Sequence, residues 1–164
     1  MEHQFRRPGH GTSGRSRLEP ITAENINAAC AISVHPYQEA FVAPVMRSLA
    51  EAYAHADTAW PRLIVTGDEA VGFIMGIFDH GNGNPAARCV LLRLNIAAAH
   101  QGCGYGSFAV RELCAEARRR GHDAMTVTWA TGEHSPEPFY LALGFVPTGQ
   151  LFKGEVVAML PLRP

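Results

Sequence analysis

No stretch of this chain is apolar for long enough to cross a bilayer, and no apolar segment follows its basic N-terminus as a secretory leader would require. The sequence reads as neither membrane-spanning nor secreted, and a cytoplasmic location is expected. Paired cysteines are missing too. Cys30, Cys89, Cys103 and Cys114 form no C-x-x-C unit and have no zinc-knuckle spacing, so reduced thiols are expected. The 8 histidines are scattered without an H-E-x-x-H, so no metal site is expected and each imidazole is read as solvated or locally hydrogen-bonded. Basic excess is absent from the body. Residues 1–17 carry a net +3, with Arg6, Arg7, Arg15 and Arg17 against Glu2, and the remainder carries a net −4. A nucleic-acid-binding body should be basic, so that class is excluded. A mildly acidic body is compatible with a cationic substrate, although solubility explains it equally well.

What is present is ordinary globular composition, 47% apolar and 18% charged, in 164 residues, enough for one hydrophobic core. Residues 1–15 read as a loose tail of Gly, Arg, His and Ser, and residues 16–164 as a single domain. Residues 16–21 predict a short strand. Thr22 predicts the N-cap of a helix to about Ile32, and a second helix is expected over 45–56. Residues 61–79 read as a hairpin turning at Gly67-Asp68-Glu69-Ala70. Cys89 to Ile96 is the most apolar strand and is expected at the sheet centre, covered on both faces.

A helix to about Arg120 follows, with Val110, Leu113, Cys114 and Ala117 on its buried stripe. Arg118, Arg119 and Arg120 complement the negative end of its dipole, and Gly121 stops it. A strand over 124–129, a short helix over 136–143, and a final hairpin (150–152 with 155–160) complete the pattern. The fold class is α/β with a mixed central sheet and helices on both faces.

The chemistry is concentrated where the apolar strand runs into Gln101-Gly102-Cys103-Gly104-Tyr105-Gly106 and then a helix. Unpaired N–H groups at a helix start, with glycines that keep Cβ atoms away, form an anion site. The spacing fits neither the dinucleotide fingerprint G-x-G-x-x-G nor a P-loop, which needs G-K-[ST]. On these residues alone the anion is unspecified, and a glycine turn without a ligand is equally allowed.

The same hexapeptide resembles the pyrophosphate loop Q/R-x-x-G-x-G/A of the GNAT acetyltransferase superfamily. About thirty residues on, Phe139-Tyr140-Leu141-Ala142-Leu143-Gly144-Phe145 resembles its second motif, L-Y-x-x-L-G-F. With the strand order, the likeness spans residues 16–162. It implies the GNAT-like acyl-CoA N-acyltransferase fold, acetyl-CoA as cosubstrate and a small-molecule amine as acceptor. It further implies that Leu94, Asn95 and Ile96 offer backbone groups to the pantetheine arm and thioester, with the Ile96 N–H facing the acetyl carbonyl as an oxyanion donor. Gln101, Gly102, Cys103, Gly104, Tyr105, Gly106 and Ser107 would wrap the pyrophosphate.

Tyr140 matches the usual general acid. A phenol at about 10 and a thiol at about 8.5 make full transfer to the leaving thiolate uphill by roughly 1.5 pH units, which hydrogen bonding to the developing charge accommodates. Tyr140 also shares an apolar stripe with Pro136, Phe139 and Leu143, so packing is its competing role. One departure is Glu133, where the family often has Asn, with Pro136 and Pro138 reshaping the helix start.

Val34-His35-Pro36, Phe41–Pro44, Ser48–Ala52, Val71–Met75 and Gly154–Ala158 further resemble the bacterial spermine/spermidine acetyltransferase branch. That implies a polyamine acceptor, for which Glu39, Glu51 and Asp57 in residues 33–57 are the candidate carboxylates. Other acceptors (an antibiotic amine, an amino acid, a protein N-terminus) stay open, as does a non-catalytic acyl-CoA sensor. The base stays open among Glu39, Asp79, Glu51 and His35. The family's habit of pairing through C-terminal strands implies a homodimer.

Overall fold

Seven strands hydrogen-bond into one sheet in a computed structural model that describes residues 15–163. The tail expected over residues 1–15 therefore lies, except for Arg15, outside the described residues. The strands are β1 (Ser16–Pro20), β2 (Ala59–Thr66), β3 (Glu69–Phe78), β4 (Cys89–Ile96), β5 (Ala124–Trp129), β6 (Val146–Phe152) and β7 (Glu155–Pro161), in the order β1-β2-β3-β4-β5-β7-β6. Four helices join them: α1 (Ile26–Cys30), α2 (Val45–Ala54), α3 (Tyr105–Arg119) and α4 (Glu137–Ala142).

The expected strands fall where the apolar pattern puts them, with β4 central. The largest correction is the first helix. Thr22 does not cap it; its Oγ1 accepts a hydrogen bond from Glu24 N (3.3 Å) and its N–H donates to Asn25 Oδ1 (2.8 Å). These side-chain bonds hold residues 22–25 in a turn, and the helix shrinks to α1 behind Asn25. The last hairpin also starts earlier than expected, at Val146, because Gly149 at φ +81° breaks the apolar pattern while the strand continues through it.

Alternation along the strands divides the core between two faces. Ile64 and Ile74 face α3 with Val110, Leu113, Met125 and Trp129, while Leu63, Val65, Phe73 and Met75 face α1 and α2 with Ala29 and Val45. All four residues of the expected α3 stripe are buried. Burial pushes the Cys89 thiol up to about 12, so it acts as a small apolar group. The arginine run closes α3 as a cap: Arg119 and Arg120 both hold Glu116, and Arg118 Nε donates to Leu162 O at 2.6 Å.

Two features of β4 prepare the site. Opposite β3 its register jumps from Met75↔Arg93 to Gly76↔Leu91, leaving Leu92 as the extra residue of a β-bulge. Beside β5 it makes the one parallel pairing among the described strands, with a single register pair, Val90↔Thr126. Beyond that pair the two strands part. β3 stays tight against the other edge of β4: a Cβ on Gly72 would lie 2.7 Å from the Asn95 carbonyl oxygen.

At the far end of the sheet the buried His122 ring stacks on His80 (centroids 3.9 Å) and Phe78 (5.5 Å), and its Nε2 has no partner among the described residues. Burial first, then the neighbouring His80 and Arg120, hold its pKa below the ordinary histidine value, against a weaker opposing pull from Asp123. The unfolded chain binds a proton there below about pH 6.5 and the folded chain does so only at lower pH, so stability falls with pH across that interval. The thermal midpoint is expected to drop between about pH 7.5 and 5.5, and the His122→Phe variant to show a shallower drop in the same scan.

Candidate active site

Where β4 and β5 part, a cavity of about 540 Å³ opens, walled by Leu91, Leu92, Leu94 and Ile96 on one side and Val127 and Thr128 on the other. Its floor is the β4–α3 turn. Gly104, at φ +85°, is the N-cap of α3 and places no side chain on the helix's first N–H groups, and no acidic residue occupies the first turn. Those donors therefore face the cavity without a protein partner competing for them. Gly106 packs against α4, where a Cβ would come within 3.1 Å of Phe139 Cζ.

Of the positions expected to hold the cosubstrate, Leu94, Ile96, Gln101, Gly102, Gly104, Tyr105, Gly106 and Ser107 line this cavity. Asn95 and Cys103 do not. Asn95 points to the opposite face, where its buried amide donates to Ala43 O at 3.1 Å. Cys103 sits on the exposed outside of the turn.

Tyr140 reaches the cavity from α4 and is buried. Its ring stacks on Trp129 (5.6 Å, 13°) and meets Phe139 and Phe145 edge-on, so the packing role is real. Its hydroxyl makes no hydrogen bond among the described residues. Burial raises the phenol well above its ordinary value, which keeps it a proton donor. Packing and chemistry are therefore compatible: three aromatic contacts fix the ring and leave the O–H free.

The other wall is the α1–α2 connection, from which Val34, Gln38, Phe41 and Val42 line the cavity. Gln38 is a residue that sequence reasoning missed. Its amide and that of Gln101 exchange hydrogen bonds of 3.1 and 2.7 Å, and Gln101 Nε2 also donates to Ile96 O at 3.0 Å. Only tertiary structure brings these two positions together. Across the mouth, Tyr37 stacks on His35 (5.2 Å) and meets His134 (4.7 Å), which adopts φ +66°.

The candidate bases and acceptor carboxylates are not gathered here. Glu39 and Asp57 are exposed and do not line the cavity. Glu51 is held by Arg93 (2.8 Å) and Arg47 (3.2 Å). Asp79, in the β3–β4 loop, accepts from Asn82 at 3.1 Å, and His35 joins the aromatic stack. Glu133 is exposed and does not itself line the cavity, although its carboxylate lies 3.9 Å from Nε2 of the wall residue His134. Glu69 and Glu155 also touch wall residues. Glu69 meets His100 at 3.1 Å, and Glu155 Oε2 accepts from Thr128 Oγ1 at 2.5 Å.

A strand that bulges and splays from its parallel neighbour, then feeds a glycine turn at a helix start, sets an open strand edge beside an anion-binding helix terminus. The sequence model of the acetyltransferase (GNAT) family matches residues 26–145, and the chain belongs to that family, an acetyl-CoA-dependent N-acetyltransferase. No curated protein matches the chain. Solved structures share the fold. An aminoglycoside 6'-N-acetyltransferase complexed with coenzyme A is 16% identical at a TM-score of 0.70, over 90% of this chain and 98% of that one. The GNAT domain of S. lividans PAT is 16% identical at 0.71, over 89% and 90%. The PaiA N-acetyltransferase of Thermoplasma acidophilum, in complex with coenzyme A, is 11% identical at 0.63, over 90% and 99%.

The raised phenol is directly measurable. Of the 4 tyrosines, Tyr140 is expected to stay un-ionised in an ultraviolet titration up to about pH 11, so Tyr140→Phe leaves the phenolate amplitude in that range unchanged. A loss of one tyrosine's amplitude in the variant would refute the burial argument.

Proposed function

We propose that this chain moves the acetyl group of acetyl-CoA onto a primary amine of a small molecule inside the β4–β5 cavity. The observation that carries this is the meeting, in one cavity, of an uncapped helix start, the parted strand edges and the free hydroxyl of Tyr140. In this reading the N–H groups of Gly104 to Ser107 hold the pyrophosphate, and Leu94 to Ile96 align the pantetheine arm along the open edge of β4. Tyr140 hydrogen-bonds the departing thiolate and supplies its proton.

The acceptor's character follows from the walls. The described residues lining the cavity include no Asp or Glu, and the three carboxylates first considered for a polyamine do not face it. A polyamine carries several ammonium groups, each needing a counter-charge once desolvated. An acceptor with a single amine and an apolar or aromatic body fits Val34, Phe41, Val42 and the rings at the mouth better, so we favour it over spermidine or spermine.

The resemblance also points to pairing. β6 is the edge strand and leaves Val146, Leu151 and Phe152 exposed, a surface suited to a second copy of the chain. Sedimentation should give twice the single-chain mass, and Phe152→Asp should return it to one; a wild-type monomer at working concentration sinks the pairing.

Thiol release from acetyl-CoA against aromatic monoamines, amino acids, aminoglycosides, putrescine, spermidine and spermine tests the activity. Turnover is expected to be highest on a monoamine, and Tyr140→Phe to lower kcat about 100-fold while leaving coenzyme A affinity in place. Preference for spermidine would restore the polyamine, and a variant indifferent in rate would remove Tyr140 from the chemistry.

A further inference from the structure

An amine bound as its ammonium form must lose one proton before its lone pair can attack. At neutral pH an alkylamine with a pKa of about 10 is almost wholly protonated, so a proton acceptor must be reachable from the cavity that Tyr140 lines. Glu39, Asp57, Glu51 and Asp79 have been accounted for above. Glu69 is largely exposed and lies on the β2–β3 turn, where it meets His100 at the pyrophosphate end.

Glu155 is placed differently. It opens β7 beside β5, where Trp129 pairs with Val156 and Thr128 with Val157. Its Oε2 accepts from the Thr128 hydroxyl at 2.5 Å, the length of a charge-assisted O–H···O⁻ bond, and it is half-buried. No cation pairs with it among the described residues. Lys153, two residues before it on the adjoining turn, has its ammonium over the Phe152 ring, 5.4 Å from the centroid. Thr128 itself is a cavity wall, and Trp129, the next residue, stacks on Tyr140. Thr128 and Tyr140 thus line one cavity, and Glu155 stands behind Thr128.

We infer that Glu155, acting through the Thr128 hydroxyl, takes the proton that the acceptor amine must lose. The inference rests on the acetyl transfer proposed above. The ammonium N–H bond breaks as its proton passes to Thr128 Oγ1, and the hydroxyl's own proton moves to Glu155 Oε2. The amine lone pair then forms the C–N bond to the acetyl carbon, and the C–S bond breaks. Tyr140 gives its proton to sulfur, and the second proton shed by the nitrogen passes through solvent to the Tyr140 phenolate and restores it. Glu155 returns its proton to water before the next turnover. Glu155 does not touch the reacting atoms, so it is a positioning and proton-accepting group behind Thr128.

The test is kcat/KM across pH, with whichever amine the wild-type enzyme turns over fastest. Glu155→Gln keeps size and hydrogen bonding but cannot hold a proton. It is expected to lower kcat/KM about 100-fold at pH 7, the scale of one general base. The deficit should shrink as pH approaches the amine's own pKa of about 10, where solvent supplies the free base. Thr128→Val should reproduce both the loss and its pH dependence, and Thr128→Ser should restore activity. Coenzyme A binding by calorimetry should match wild type in all three. A pH-independent loss in Glu155→Gln, full activity in it, or indifference to Thr128→Val would each overturn the inference while leaving acetyl transfer standing. A wild-type chain that binds acetyl-CoA yet acetylates no amine overturns the transfer itself and this step with it.

Discussion

The site depends on a withheld set of hydrogen bonds. Two parallel strands at the centre of a sheet ordinarily pair along their length, yet β4 and β5 meet at one register pair, Val90↔Thr126. The bulge at Leu92 re-aims β4 and leaves its C-terminal half without register pairs on the β5 side. Main-chain groups left open inside a fold are costly unless something bonds them. The opening is held in place by tight contact elsewhere. Gly72 lets β3 press against the opposite edge of β4, and Gly106 lets α3 press against Phe139.

Much of this was legible in the residues. The strands were readable because alternation in Leu63-Ile64-Val65 and Phe73-Ile74-Met75 feeds two separate core faces, and the α3 stripe because 3.6-residue periodicity leaves little choice of buried side. The glycine turn was readable because backbone chemistry there needs residues without side chains. The first helix was misjudged because the Asn25 side chain bonds the Thr22 N–H and the Pro20 carbonyl while the Thr22 hydroxyl bonds Glu24 N, a local competition that apolar spacing does not report.

Side-chain partnerships between distant segments were the least legible. Gln38 with Gln101, Glu51 with Arg93 and Thr128 with Glu155 are separated by 63, 42 and 27 positions. Nothing in a linear pattern marks one carboxylate as spent on an arginine and another as left facing a hydroxyl. The carboxylates of residues 33–57, candidates for the polyamine that the resemblance implies, accordingly do not line the assembled walls, which carry no Asp or Glu.

The amide pair between Gln38 and Gln101 makes two seemingly separate surfaces a single thermodynamic object. One glutamine belongs to the turn beneath the helix, the other to the connection that forms the opposite wall, and each satisfies its partner. Any ligand that re-orients Gln101 changes what is available to Gln38, and linkage then requires the reverse influence to be of equal size. Occupancy of one half of the cleft is in this way written into the affinity of the other, without hinge or lid, by the rotation of one side-chain amide.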